Sequence, residues 1–584
     1  MVAISSSHIP GCFRTDFSPS APLGYDAAPS FCGEWKVGLV NYYDSYDFLN
    51  LPEFLPLQRT PPPGTFPANA LRTGCYVSAL GADTVAEKTS FYYDRRGRLI
   101  RSYRQNSLSG VSEQYVASYN HLNQPVQESR TYTFGEGNRL VSRRSFTYNK
   151  TGQEATASHY VQYVTPEGTR SRTIRLRTDA YNDLCQLSSV SRFGGKESVS
   201  YAYSPQGRMR SLASPYFSQT LHFGEQPSPV TGQYYCNGRI SSIDVMQGDN
   251  LYTTGIDYDG FGRYAASSTA GQTDDVWEES LSYDAMGNVT SLCRSMAGAE
   301  EERTFSYNGN RISLEYAGSQ AGGNFPVTFP LVMPNTYLYD ANGNETSSND
   351  RIMRLSYNNL NLPDSAYFML RGNTLKMEYM ADGRRVRTTA KTYGTPLLIP
   401  VGGTPMPQEP ASVTEEVRDG ELVFRDGRLV EVRTDGGWFS MWNDTLSTTQ
   451  VRPYFYVTDY LGSVRMVCDG ITGEVQQSIE YLPSGHIFRS ENYGTQPYMF
   501  CGKELITMHG LNLYDSNARF QHSTQPRFSS MDPQAEKYYS LSPYNYAGND
   551  PVNAADPSGM TLFILGEDGR LLDSNNGFLF SDYD

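Results

Sequence analysis

Along most of the chain, apolar and polar residues alternate in runs of about five to eight, as in "SFYYD" at 90–94 and "RLIRSYR" at 98–104. A period of two puts every second side chain on one face of an extended strand. The runs are punctuated by one formula. "YLYDANGNET" at 337–346 returns as "FYYDRRGRLI" at 91–100, "LSYDAMGNVT" at 281–290 and "IDYDGFGRYA" at 256–265. Four residues after the aromatic comes Gly97, Gly152, Gly207, Gly262, Gly287, Gly343, Gly383 or Gly485, with Asn123 and Asn361 in two further copies. Gly and Asn accept a positive φ at the lowest cost. Asp or Asn directly after the aromatic, as at Asp94, Asn149, Asp259, Asp284 and Asp340, can bond to the backbone two residues on and close a turn. Strand, tight turn and returning strand make a β-hairpin, so a mainly β fold is predicted. Gly97, Gly207, Gly262, Gly287, Gly343 and Gly383 are expected as its turn residues.

Most copies recur every 18 to 33 residues. A repeat of that size implies an array in which each hairpin buries its face against its neighbours. An ordinary β-sandwich does not reuse one turn formula more than ten times. The hairpins are therefore expected to join into one curving sheet between about residues 75 and 500. Three stretches break the rhythm. Residues 1–74 are Pro-rich, with ten prolines in the first 70, and read as a leader, plug or edge segment. Residues 401–414 read as a loop insertion. From 451 onward the repetition gives way to more singular motifs.

Composition agrees with this picture. Among 584 residues there are 44 Tyr and only 4 Trp, a poor recipe for Leu-striped helices but a good one for pleated sheet. A net charge of −14 argues against a nucleic-acid groove. No apolar run approaches the roughly 20 residues of a membrane helix. The start "MVAISSSHIPGCF" lacks a basic segment followed by an apolar core, so no signal peptide is read there. The eight cysteines form no CxxC pair and read as buried thiols, and the seven scattered histidines suggest neither metal nor cofactor.

The turn formula resembles the YD repeat of the RHS family, Y-D-x-x-G-R/N followed by an apolar residue, over roughly Cys75 to Gly559. In that family the hairpins join into a spiralling sheet that closes, or partly closes, into a hollow shell. The stretches "YVTDYLGSVRMVCDGITGEVQQSIEYLPSGHIF" at 456–488 and "FCGKELITMHGLNLYDSNARFQHSTQPRFSSMDPQAEKYYSLSPYNYAGNDPVNAADPSGM" at 500–560 resemble the RHS-associated core domain, motif after motif in order. In well-understood members this core caps the shell and cuts the chain just after a D-P-x-G motif, with chemistry like that of an aspartic protease. Such chemistry needs two carboxylates, one to activate water and one to donate a proton. The resemblance assigns these roles to Asp532 in "SMDP" and Asp556 in "DPSG", with Arg519 in "NAR" orienting one of them. It places the scissile bond between Met560 and Thr561. The chain departs from the family form at Gln521-His522-Ser523, where Y-D-P is usual, and at Pro526, where Gly is usual. For Arg519 and Asp532, the plain alternative is an ion pair that closes the core.

The resulting division is an N-terminal segment (1–74), a repeat shell (75–450), a core domain (451–560) and a variable tail (561–584). The resemblance implies a shell that encloses and delivers a C-terminal effector, secreted or on the cell surface. Its partners would be its own C-terminal segment and an immunity protein or secretion-system component. The alternative is a non-cleaving surface or wall protein whose tyrosines stack on carbohydrate. Neither nucleic acid nor a membrane span is implied. A soluble hydrolase is disfavoured, because no nucleophile motif such as GxSxG is present.

Overall fold

The alternating runs pair with one another in chain order. The computed structural model describes residues 37–565 except 56, 58–60, 67, 82–84, 136, 225–231, 233–234, 236–237, 272–275, 297–298, 321–333, 349–352, 370, 395–408 and 442–450; it also describes 2–3, 12–13, 23 and 571–573. Each strand from Leu39–Asp44 to Ile487–Glu491 runs antiparallel to the next, within one sheet of 36 strands. Among the described residues there is no α-helix, only short 3-10 turns.

One unit explains the repeat. Tyr283 ends the strand Val276–Tyr283, and Val289–Met296 returns beside it. Gly287 sits at φ +81 and donates its N–H to the Asp284 carbonyl at 3.1 Å. One Asp284 carboxylate oxygen accepts the N–H groups of Met286 and Asn288, each at 2.8 Å. The other accepts the Asn288 amide at 2.8 Å. The Tyr283 hydroxyl donates to the Tyr264 carbonyl of the preceding unit at 2.6 Å. This link recurs as Tyr119 to Leu99, Tyr148 to Pro125, Tyr307 to Val289, Tyr379 to Pro363 and Tyr481 to Val464. A phenol has the reach to satisfy a carbonyl one hairpin away, which explains the preference for Tyr over Phe.

Neighbouring turns are also tied along the rim. Arg98 donates to the Asn120 carbonyl at 3.1 Å, Gln153 to that of Cys185 at 2.8 Å and Arg263 to that of Asp284 at 3.0 Å. Gly97, Gly207, Gly262, Gly343 and Gly383 all have positive φ, as do Asn123 and Asn361. Cys185 takes the same position at φ +61.

The sheet returns on itself. The Arg104 guanidinium pairs with the Asp419 carboxylate, Phe134 meets Phe424 edge-on, and Phe193 stacks on Phe455. Farther on, Gln247 bonds to the Ile479 carbonyl at 3.1 Å, and Glu279 accepts a bond from Ser484 at 2.6 Å. Residues 104–279 thus lie beside residues 419–484 in the same order. One continuous apolar core runs between them, from Val77 through Tyr132, Val161 and Phe193 to Val432, Phe455 and Cys468.

Among the described residues of the Pro-rich N-terminal segment, Leu39–Asp44 is the first long strand, and Phe48, Leu49 and Phe54 pack with Tyr42. Of the 401–414 stretch, residues 401–408 lie outside the described residues, and Ser412–Asp419 is a strand. Of the tail, 566–570 and 574–584 likewise lie outside.

Residues 500–565, together with 571–573, form an irregular unit built on two three-stranded sheets. One is made of Glu504–Ile506, Leu513–Asp515 and Phe520–His522, the other of Ala554–Ala555, Phe563–Leu565 and Leu571–Asp573. This unit docks on turn tips of the repeat. Asn549 donates to the Gly287 carbonyl at 2.8 Å, Tyr544 to that of Gly343 at 2.7 Å, and Tyr460 to that of Val552 at 2.6 Å.

Candidate functional site

Three turns bring the site together. Arg519 follows a tight turn in which Asn517 sits at φ +63 and donates its N–H to the Asp515 carboxylate at 2.9 Å. Asp532 opens a 3-10 turn: its carboxylate accepts the Gln534 N–H at 2.7 Å, and its own N–H reaches the Pro543 carbonyl at 2.9 Å. Asp556 follows the two-residue strand Ala554–Ala555.

Arg519 joins the three. Its Nη2 lies 3.1 Å from Asp532 Oδ2 and 3.0 Å from Asp556 Oδ2. Its Nη1 donates to the Pro543 carbonyl at 3.1 Å, and its Nε donates to the Gly559 carbonyl. The guanidinium carbon stands 3.7 Å from the centroid of the Phe528 ring, and the side chain is 2% exposed. An arginine can engage four of its five N–H groups only where acceptors converge from several directions, and here they come from three segments.

The other oxygen of Asp556 faces the chain that follows it. Oδ1 accepts the Met560 N–H at 3.1 Å and the Thr561 N–H at 3.2 Å. Met560 N–H also reaches Ser558 Oγ at 3.2 Å. Gly559, at φ +73, is pressed so close that a Cβ there would stand 2.9 Å from the Ser516 carbonyl oxygen. The loop 556–561 is therefore wrapped around its own aspartate. Burial pushes the Asp532 carboxyl above its ordinary value, the neighbouring Asp556 adds to the rise, and Arg519 and the Gln534 N–H only partly offset it. A carboxyl inclined to hold its proton beside a carboxylate accepting N–H groups can move protons in both directions. A cleft lined by Arg519, Asp532, Asp556, Leu541, Ala547 and Leu562, among others, opens beside the pair.

The departures from the family form carry contacts of their own. His522 lies 3.0 Å from the Glu345 carboxylate, both side chains 1% exposed, and so ties this unit to the repeat wall. Gln521 accepts a bond from Lys503 at 2.8 Å. The Lys503 ammonium stands 4.1 Å from the Tyr546 ring centroid, and burial brings its pKa down to about 8. Glu504 holds Arg385 and Arg418 of the wall together. Neither Lys503 nor Glu504 could be given a role from the "GKE" string alone, because their partners lie far away in sequence.

No family model matches the chain. It is 37% identical over 123 residues to salivary gland surface protein 1 of Aedes aegypti, a match covering 19% of this chain and 3% of that protein. Among solved structures, it is similar to TcdB2-TccC3 without its hypervariable C-terminal region, with a TM-score of 0.45 and 13% identity, covering 85% of this chain and 27% of that one. It is similar in the same way to TcdB2-TccC3-TEV, with a TM-score of 0.44 and 13% identity, covering 89% and 30%. The chain therefore spans less than a third of each of these proteins.

Proposed function

We propose that the chain is a hairpin-repeat shell of the RHS type, whose terminal unit cuts its own backbone at Met560–Thr561 and so parts an effector segment from the shell that carries it. The observation that supports this reading is the single Arg519 nitrogen within 3.1 Å of both carboxylates, with the Thr561 N–H on Asp556.

The chemistry follows from the two environments. A water molecule attacks the Met560 carbonyl carbon. Ionised Asp556 takes the water proton while protonated Asp532 gives its own to the carbonyl oxygen. The tetrahedral intermediate then collapses: Asp556 passes its proton to the Thr561 nitrogen it already faces, and the intermediate returns one to Asp532. The products are a Met560 carboxylic acid and a Thr561 amine, with both aspartates as they began. Arg519 fixes the pair and holds the chain at Gly559. Delivery outside the producing cell, an immunity partner or secretion component, and a secreted or surface location follow from the same reading.

The test is intact mass after folding. The parent chain should yield the 24-residue peptide Thr561–Asp584, and Asp532→Asn should stay whole. A parent that stays whole would leave Arg519, Asp532 and Asp556 as a structural ion-pair triad and turn the reading to a non-cleaving surface protein, with carbohydrate as the first ligand to try. The specific observation favouring that second reading is the four-way grip of Arg519, which would hold the unit closed without any chemistry.

A further inference from the structure

Between the two halves of the sheet that lie beside each other, the apolar core gives way to a space of about 300 Å³. Close-packed interiors rarely hold voids larger than a water molecule, and this one falls at the lower end of the roughly 300–1,000 Å³ of small-molecule sites. One side is built by the strands Leu187–Arg192, Glu197–Tyr203 and Met209–Ala213, the other by the turn that follows Arg452–Thr458. Met209, Leu212 and Val457 supply apolar surface. Tyr203 and Tyr460 border the space with hydroxyls already spent, on the Leu187 carbonyl at 2.9 Å and the Val552 carbonyl at 2.6 Å.

The remaining polar groups of the lining fall into two sets. Asp459 and Ser214 are committed to the fold: Asp459 accepts the Ser463 N–H at 2.9 Å and pairs with Arg465 at 3.0 Å, and Ser214 donates to the Phe217 carbonyl at 3.0 Å. Arg192 and Glu197 stand opposite each other across a strand pair, yet they meet through one nitrogen and one oxygen at only 3.5 Å. Tyr201 is close to both. Burial raises its phenol above the ordinary value, with Arg192 pulling the other way and Glu197 adding to the rise. It is therefore a neutral hydroxyl that can both donate and accept. Among the described residues, neither the Tyr201 nor the Thr458 hydroxyl has a hydrogen-bond partner.

The charges cancel in pairs, Arg192 with Glu197 and Asp459 with Arg465, so the space selects neither an anion nor a cation. It presents donors on Arg192, acceptors on Glu197, two hydroxyls that do both, and carbon surface on Tyr203, Tyr460, Met209 and Leu212. The complement is a neutral ring with hydroxyls around its edge and C–H groups on its faces. We propose that this space binds a mono- or disaccharide, held by hydrogen bonds to Arg192, Glu197 and Tyr201 and by contact with Tyr203 and Tyr460. Such a ligand touches both halves of the sheet, so its binding stabilises their closure. The space lies outside the terminal unit, which makes its occupancy and the proposed cleavage separate properties.

The test refolds the full chain with glucose, galactose, N-acetylglucosamine, maltose or cellobiose at millimolar concentration, and with indole as an apolar ring for comparison. Refolding with the probe present lets it reach the space even where the folded chain leaves no path. Saturation-transfer NMR should show contact with the C–H protons of at least one sugar, and that sugar should raise the thermal midpoint. Tyr201→Phe and Glu197→Gln should each weaken its binding about 10-fold, the scale of one hydrogen bond lost in a buried site. Ser198→Ala, exposed on the opposite face of the same strand, should bind as the parent does. Circular dichroism checks that each variant folds, and if Glu197→Gln does not, Tyr201→Phe decides. Binding of indole but of no sugar, or a sugar bound equally by the parent and Tyr201→Phe, would overturn the proposal. Binding of no probe at all would overturn it too and leave the space a water-filled gap.

Discussion

At the scale of residues, Asp532 and Asp556 have the same side chain and different surroundings. Asp556 spends both oxygens on hydrogen-bond donors, while Asp532 is lifted by burial. The proposed chemistry needs Asp532 protonated. A raised pKa means that this proton is present below the raised value and lost as pH rises through it. Refolding at a series of pH values should therefore give a cleavage rate that falls on the alkaline side of that value. A rate that climbs steadily from pH 4 to 8 would assign the acid role elsewhere. Arg519, Asp532 and Asp556 were singled out through the resemblance of their short motifs to the RHS core, and the structure brings the Arg519 guanidinium within 3.1 Å of both carboxylates. The partners of Lys503 and His522 were not legible, because Gln521 and Glu345 join them only through tertiary contact, and nothing local marks a glutamine or glutamate as such a partner.

At the scale of elements, the hairpin formula works through two separable devices. One is the positive φ at its glycine. The other is the Tyr hydroxyl, which stitches each turn to the hairpin before it. In Gly207→Ala, a left-handed alanine should cost about 1–2 kcal/mol. In Tyr283→Phe, the Tyr264 carbonyl loses its donor, a loss of about 1–3 kcal/mol. Because stability in a repeat array is summed over neighbours, the Tyr283→Phe cost should appear as faster hydrogen exchange in 264–283 before any change in global unfolding. The tip variant Met286→Ser, at a side chain 45% exposed, should leave that exchange unchanged. Strands and turns were readable because their periodicity and turn chemistry are local. Cys185 at a left-handed position was less so, since cysteine carries no turn preference that would point to it.

At the scale of the whole molecule, the decisive feature is that the sheet comes back beside itself and the terminal unit is clamped onto its turns. Glu504 is one such clamp. Burial alone would raise its pKa, but Arg385 and Arg418 outweigh burial and bring it from 4.5 to about 2. A depressed carboxylate contributes stability above its unfolded value and loses it as pH falls through the folded one. The attachment of the terminal unit should therefore weaken between about pH 4.5 and 2. Glu504→Gln leaves two buried guanidinium groups short of a counter-charge and should cost about 3–5 kcal/mol at neutral pH. Limited proteolysis in the 495–515 region would report it. An unchanged cleavage pattern in the variant would show that the clamp is dispensable.

The amino-acid sequence by itself determined the strand period, the turn positions and the order of the hairpins, because alternation, Asp or Asn after the aromatic, and Gly four residues on all act within about ten residues of chain. Arg519, Asp532 and Asp556 were singled out through the resemblance of their motifs to the RHS core. The tertiary structure alone decided which strands lie beside each other across three hundred residues, as Arg104 does beside Asp419. It alone decided which turn tips receive the terminal unit, and that the chain after Asp556 folds around that carboxylate. Those outcomes depend on the accumulated twist of many hairpins and on side chains meeting from distant segments, which no local pattern encodes.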